Sequence, residues 1–271
     1  MRAGLVAALA LALAASALRA QQPLLKPAPK PSADSANDPH AVQPERPTVA
    51  THAGTVAPGW LEIETGVERD RFAPTASSSS IPTVFKFGLA DRLQLSVFAP
   101  VQFPSVGSAG IGDVGAGVKW RLLENAAAVG DFAVLPSITF ATGSPSTGTG
   151  STGLSLLAIS SHDLGGVAMD LNVGYTHRSG GSVDVPTSST LWTLSFGGPF
   201  TAPWGWVAEA YGFPGTSASA PIVALLAGPT VTPRLWLAFD AGIIVPVSGP
   251  QPRALYAGAV VNVGQLWGPR R

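Results

Sequence analysis

The chain has 271 residues and a formal net charge of zero at pH 7, with 12% charged and 46% hydrophobic residues, 31 glycines, 25 prolines and no cysteine. A zero net charge leaves no electrostatic footprint for a nucleic-acid partner. The lack of cysteine excludes disulfides, thiolate metal sites and a lipid-modified cysteine. Beyond the first twenty residues, Gly, Pro or a charge interrupts every apolar stretch within about ten residues, short of the ~20 that a membrane-spanning helix needs.

In chain order, the first element is "AGLVAALALALAASALRAQ", preceded by Arg2. A positive start, a short apolar run and the small residues Ala15-Ser16-Ala17 read as a secretory signal peptide over residues 1–20. Residues 21–58 open with "QQPLLKPAPKPSADSANDPHAVQPERPTVA" and are rich in Pro, Ala, Ser and Lys without periodicity. They are expected to form a flexible or polyproline-like periplasmic leader.

From Gly59 the pattern changes to period two. Strands are predicted at 59–70, 80–90, 92–102, 111–123, 130–141, 152–161, 166–177, 190–198, 204–213, 219–231, 235–247 and 253–267. In the first, Leu61, Ile63, Thr65 and Val67 oppose Glu62, Glu64, Gly66 and Glu68. In the third, Leu93, Leu95 and Val97 oppose Gln94 and Ser96. In the fourth, "GIGDVGAGVKWRLL", Val118 and Leu122 oppose Lys119 and Arg121. The seventh sets Leu171, Val173 and Tyr175 against Asp170 and Asn172, and the eleventh sets Phe239 and Ile243 against Asp240. The sixth and tenth, "TGLSLLAISS" and "APIVALLAGP", alternate poorly.

The connections alternate between long segments such as "RFAPTASSS", "TGSPSTGTGS" and "RSGGSVDVPTSS" and short ones such as "ADR", "HDLGG" and "TPR". Such alternation is the loop grammar of an outer-membrane barrel whose termini both lie in the periplasm. In that frame Trp60, Trp204, Trp206 and Trp236 begin upward strands, Trp120 and Trp267 end downward ones, and Trp192 lies on the outer side. Six of the seven therefore gather at one membrane interface, as an aromatic girdle does. The expected fold is all-β, a transmembrane antiparallel up-and-down barrel of about twelve strands over residues 59–267, in the outer membrane of a Gram-negative bacterium. A secreted β-sandwich is the structural rival, but so little surface charge would leave it a poorly soluble exterior.

The inward phase then carries Glu62, Glu64, Glu68, Lys86, Asp113, Lys119, Arg121, Asp170, Glu209 and Asp240 as lumen-lining residues. One reading pairs them into a network that keeps the interior polar and the register fixed. The other makes them set selectivity, with the three glutamates on one wall and Lys119 and Arg121 on another. Twelve strands imply a backbone diameter of roughly 24 Å and a clear lumen on the order of 10 Å. No catalytic set is expected, because His162 has Ser160, Ser161 and Asp163 beside it only along the sequence. The four histidines lack metal-site spacing, and no helix follows "GIGDVG" to make a dinucleotide loop, so no metal or cofactor is expected.

Four segments also resemble one family in order. Arg46-Pro47, Val56-Ala57-Pro58-Gly59 and Glu64-Thr65-Gly66 resemble the opening signature of the phenol meta-pathway degradation transporters of the outer membrane. "IPTVFKFGLADRLQLSV", with Asp91-Arg92 at its turn, is similar to the family's next hairpin, and "GIGDVGAGVKWRLL" to its Gly-x-Gly-Asp strand. Pro136 and Thr142-Gly143 match its fifth-strand pattern, although the Pro and Thr-Gly are separated here. The resemblance covers residues 45–267 and implies a barrel that transports aromatic or other hydrophobic compounds. The function expected from this is passive passage of small hydrophobic solutes. An occluded structural or adhesive barrel acting through its loops is the alternative, and an outer-membrane hydrolase the second alternative. Expected partners are outer-membrane lipid, a small hydrophobic solute and, during biogenesis, the barrel-assembly machinery.

Overall fold

The structure is a computed structural model that describes residues 38–73, 76–180, 186–216 and 220–268. The predicted signal peptide and residues 21–37 lie outside the described residues. Twelve antiparallel strands close into a barrel. They are β1 (Trp60–Ala73), β2 (Ala76–Ile81 and Thr83–Ala90), β3 (Leu93–Phe98 and Val101–Phe103) and β4 (Gly110–Ile111 and Gly115–Ala126). Then follow β5 (Gly130–Thr139), β6 (Gly153–Asp163), β7 (Ala168–Arg178), β8 (Ser188–Thr201), β9 (Trp204–Phe213), β10 (Ile222–Arg234), β11 (Leu237–Ser248) and β12 (Arg253–Gln265). Each pairs with its sequence neighbours, and β12 pairs with β1 from Trp60↔Gln265 to Arg71↔Arg253 to close the ring.

Short turns at 91–92, 127–129, 164–167, 202–203 and 235–236 mark one end, the expected periplasmic one; longer loops gather at the other. The first outer loop departs from expectation. Residues 68–73 and 76–80 pair as a hairpin that overhangs the barrel, where a long loop over 71–79 was predicted. Its register is held by side chains, with Arg69 donating to Ser77 and Ser79, and Ser78 to Asp70.

The alternation fixes the faces. In β4, Val118 and Trp120 are exposed on the outside while Lys119 between them is fully buried. Leu171, Val173 and Tyr175 of β7 likewise point out, with Asn172 buried inside. The two strands that alternate poorly do so because part of the interior is itself apolar. In β6, Ile159 faces inward with Leu157 packed beside it; in β10, Ala224 and Leu226 join Tyr211, Ile244, Ala254 and Tyr256 in a buried cluster. That cluster belongs to β9–β12 and sits toward their long-loop ends. Apolar residues on both faces erase a period-two signal.

Candidate functional site

The lumen is not empty. Residues 38–58, expected as a flexible leader below the membrane, enter the barrel from its short-turn end, rise to its middle and return. His40 begins the arch between the rings of Trp60 and Trp236, with centroids at 5.0 and 6.3 Å, and its imidazole lies 3.0 Å from the Asn262 carbonyl. The amide of Asn262 donates to Pro39 O, and the Val42 N–H donates to Leu235 O. Four prolines in the segment (Pro39, Pro44, Pro47 and Pro58) bring no N–H into the barrel, which lowers the number of donors to be satisfied.

The remaining backbone groups cannot join the sheet, so the wall must supply their partners. The Gln43 and Glu45 N–H groups donate to Glu62 and Glu64 of β1, each at 2.7 Å. Val49 and Ala50 donate to the two oxygens of Glu209 on β9, at 2.8 and 2.6 Å. Asn172 of β7 reads Thr51 twice, accepting from its N–H at 2.8 Å and donating to its carbonyl at 3.0 Å. Ala53 donates to Ser161 of β6 and Val56 to Gln94 of β3. Ala50, Ala53 and Val56 are buried in the process.

Two lysines close this network. Lys86 of β2 lies 2.7 Å from both Glu62 and Glu64 and donates to Gln43 O at 2.5 Å. Lys119 of β4 pairs with Glu45 and donates to the carbonyls of His52 and Gly54, at 3.0 and 2.8 Å. Both lysines are fully buried, a placement that holds only when the ammonium is paired and hydrogen-bonded. Burial pushes the Glu45 carboxyl up, but Lys119 and Lys86 outweigh it and hold the group well below the usual carboxylate range. His52 is pushed down to about 3, first by burial and then by Lys119.

Arg46 reaches the middle of the barrel, where it pairs with Asp240 of β11 at 3.3 Å. Its guanidinium lies against Gly66 and Gly258, which face each other across β1 and β12. A Cβ on either glycine would come within 2.5 Å of that guanidinium and displace it, and at Gly66 it would also meet the Ala257 carbonyl, so the two glycines let the arginine lie close against the wall.

The ten predicted lumen residues therefore divide. Glu62, Glu64, Lys86, Lys119, Glu209 and Asp240 are brought together by the leader and consumed in holding it. Asp170 accepts from Ser161 at 2.5 Å beside that group, and Glu68 lies further along β1. Arg121 sits at the short-turn rim, where it pairs with Glu124. Asp113 stands apart from that group. It falls in the break within β4 and accepts from Gly143 N and from the Thr149 N–H and hydroxyl, tying down the long loop after β5. Burial raises its carboxyl, but those donors prevail and hold it below its usual range.

Of the expected glutamate wall and basic wall, Glu62 and Glu64 are paired by Lys86 of the neighbouring strand, and Lys119 by Glu45 of the arch. β1 and β2 are neighbours, with Glu62 directly opposite Lys86. The opposite charges therefore neutralise within one wall. The clear ~10 Å lumen implied by strand number alone is filled at mid-barrel by the arch.

Sequence reasoning left out Glu45, Arg46, His52, Gln94, Ser161 and Asn262. Gln94 carried a usable signal as a long amide in the inward phase of its strand. Apart from Arg46, which stands in a shared motif, the leader residues carried no pattern, because an unpatterned proline-rich segment looks the same inside a barrel and outside it.

Space remains beside the arch, including two cavities that meet at Pro44, Ala168 and Asp170 toward the short-turn end. One of about 560 Å³ is lined by His52, Asp131, Ser161 and His162. The other, about 740 Å³, runs between the arch and β8–β12 past Gly197, Val207, Ala238 and Val260. Ser160 and His162 do meet on one face of β6, with Oγ and Nε2 3.0 Å apart. However, the Ser160 hydroxyl donates to Val129 O at 2.8 Å, so the imidazole is the donor to it and not its base. Among the described residues no acid orients His162, and no nucleophile–base–acid set is assembled.

A closed antiparallel barrel with an apolar exterior and a polar interior has the architecture of outer-membrane β-barrel proteins. Consistently, the chain is similar in fold to the crystal structure of an outer membrane channel from Pseudomonas putida F1, with a TM-score of 0.59 at 14% identity over 77% of this chain and 97% of that one. The KdgM porin in complex with disordered oligogalacturonate follows, with a TM-score of 0.50 at 11% identity over 75% of this chain and 99% of that one. No family model matches the chain, and no curated protein matches it.

Proposed function

We propose that this chain is an outer-membrane channel for small hydrophobic or aromatic solutes, closed at rest by its own residues 38–58. The observation that carries this reading is the division of the lumen. The arch occupies much of the charged wall, and the space left beside it is a cavity of about 740 Å³ lined inward by Gly197, Val207, Ala238 and Val260, with Arg46, Asp170, Ser195 and Asp240 among its polar groups. A volume of this size, mostly apolar with a few fixed polar groups, suits a solute of one or two rings. The motifs shared with the phenol meta-pathway transporters support the same solute class. They acquire a physical sense here, since Arg46, Val56, Glu64 and Gly66 are contacts between arch and wall.

Liposomes containing the refolded chain should admit a phenol-sized aromatic solute about ten-fold faster than a sugar of similar mass, a preference of roughly 1.4 kcal/mol. Equal rates, or no flux of either once residues 38–58 are deleted, would overturn the reading. The extent of the arch also favours a second reading, in which the barrel stays shut and the long loops are the working surface. Absence of flux even after the arch is deleted would favour that one.

A further inference from the structure

The outer wall carries a cluster of cations that no described residue pairs with an acid. Arg69 and Arg71 of β1 and Arg253 of β12 are all exposed, and they meet at the seam where the barrel closes. Arg71 lies directly opposite Arg253, and Arg69 directly opposite Leu255. Their phase is outward, shared with Val67 and Leu255, which are 50% and 63% exposed. Glu68 and Asp70 alternate with them in sequence and so point to the other side of the sheet.

Side chains directly opposite on an antiparallel pair have Cβ atoms about 4.5–5.5 Å apart, and like charges placed so destabilise the pair. Among the described residues, Arg71 and Arg253 make no ion pair, while Arg69 donates only to the Ser77 and Ser79 hydroxyls. The opposite rim is built differently, with Arg92 and Arg121 both paired to Glu124, at 2.8 and 3.0 Å. Guanidinium clusters are suited to phosphate, which accepts two parallel N–H bonds from each fork. This cluster stands at the long-loop end of the apolar exterior, immediately above Val67, Leu255 and Ile243. An anion held there would have its remaining bulk against lipid-facing side chains.

We propose that Arg69, Arg71 and Arg253 bind the phosphate groups of the outer-leaflet lipid, lipid A, with its acyl chains lying along Val67 and Leu255. The site rests on the outer-membrane placement proposed above and would fasten the closing seam of the barrel from outside. The test compares the refolded full chain in micelles with diphosphorylated lipid A and with the same lipid stripped of both phosphates. Bound lipid is counted by native mass spectrometry. The phosphorylated form should bind about ten-fold tighter, and the double variant Arg71→Gln/Arg253→Gln should lose that factor, a change of roughly 1.4 kcal/mol. Heat-modifiable gel mobility reports whether the variant is folded, and Arg92→Gln at the opposite rim should bind like the parent. Equal binding of the two lipids, or a folded double variant that binds like the parent, overturns the site. A chain that inserts into no membrane and shows no heat-modifiable form would instead refute the membrane placement itself.

Discussion

The two halves of the lumen wall are built on opposite principles. From β1 to β4 the inward positions are Glu62, Glu64, Lys86, Gln94 and Lys119, all buried and all turned to the arch. From β9 to β12, toward the long-loop end, they are Tyr211, Ala224, Leu226, Ile244, Ala254 and Tyr256, packed on one another. The polar wall has low energy only while its charges are paired, so its stability depends on the arch. The apolar cluster needs no such partner, although Glu209, Asp240 and Asn262, nearer the short-turn end of the same strands, also hold the arch. If the arch moved, the first wall would have to take up water, while the second would offer a ready surface to an apolar solute.

That difference can be broken at its strongest point with Lys86→Met. The substitution leaves Glu62 and Glu64 buried side by side without their shared cation, a class of change that costs about 3–5 kcal/mol. The expected outcome is expulsion of the arch, seen as protease cleavage within residues 38–58, with a lower urea midpoint. Val118→Arg comes next. It places a cation on the lipid face one residue from buried Lys119, at about 2–4 kcal/mol near the midplane. Folding into vesicles should fail or slow, whereas Lys119→Gln should still fold and only loosen the arch. The opposite pair of results would mean that the faces are assigned one residue out of phase. On the apolar wall Ile244→Val should cost about 0.5–1.5 kcal/mol. It should lower the urea midpoint without changing protease access to the arch, because Ile244 packs within the wall cluster.

The pH should also act on docking. His52 in a free leader titrates near its ordinary 6.5 and in the docked arch near 3, so the undocked state binds the extra proton between those values. Its contribution to docking is complete above pH 6.5 and is lost as pH falls toward 3. Glu45 acts in the same direction, its contribution complete above its ordinary value and lost below it. The groups around His52 are Lys119, Lys86 and Glu45 on one side and Asp131, His162 and Asp170 across the adjoining cavity. The ratio of arch cleavage in the parent to that in His52→Gln, by an acid-active protease, should therefore rise from pH 7 to pH 4. A flat profile would exclude this linkage.

The barrel was legible because membrane barrels write period two and loop length into the chain. The alternation of Val118, Lys119 and Trp120 and the turn "ADR" required no knowledge of their partners. The strands least legible were β6 and β10, where Ile159 and Leu226 turn an apolar side chain inward. The arch was illegible for another reason. Its backbone hydrogen bonds end on side chains far away in sequence, such as Glu209 for Ala50 and Asn172 for Thr51. No local pattern encodes them. Glu62 and Glu64 could be placed inside from their strand alone, but not their role as acceptors for Gln43 and Glu45.

The central claim is that residues 38–58 close the lumen and that their displacement opens it. Single-channel recording in planar bilayers tests this directly, comparing the full chain with a chain lacking residues 38–58, both checked for heat-modifiable mobility. The account predicts rare, brief openings for the full chain and a steady conductance several-fold higher for the deletion. Identical conductance in the two folded proteins would contradict it.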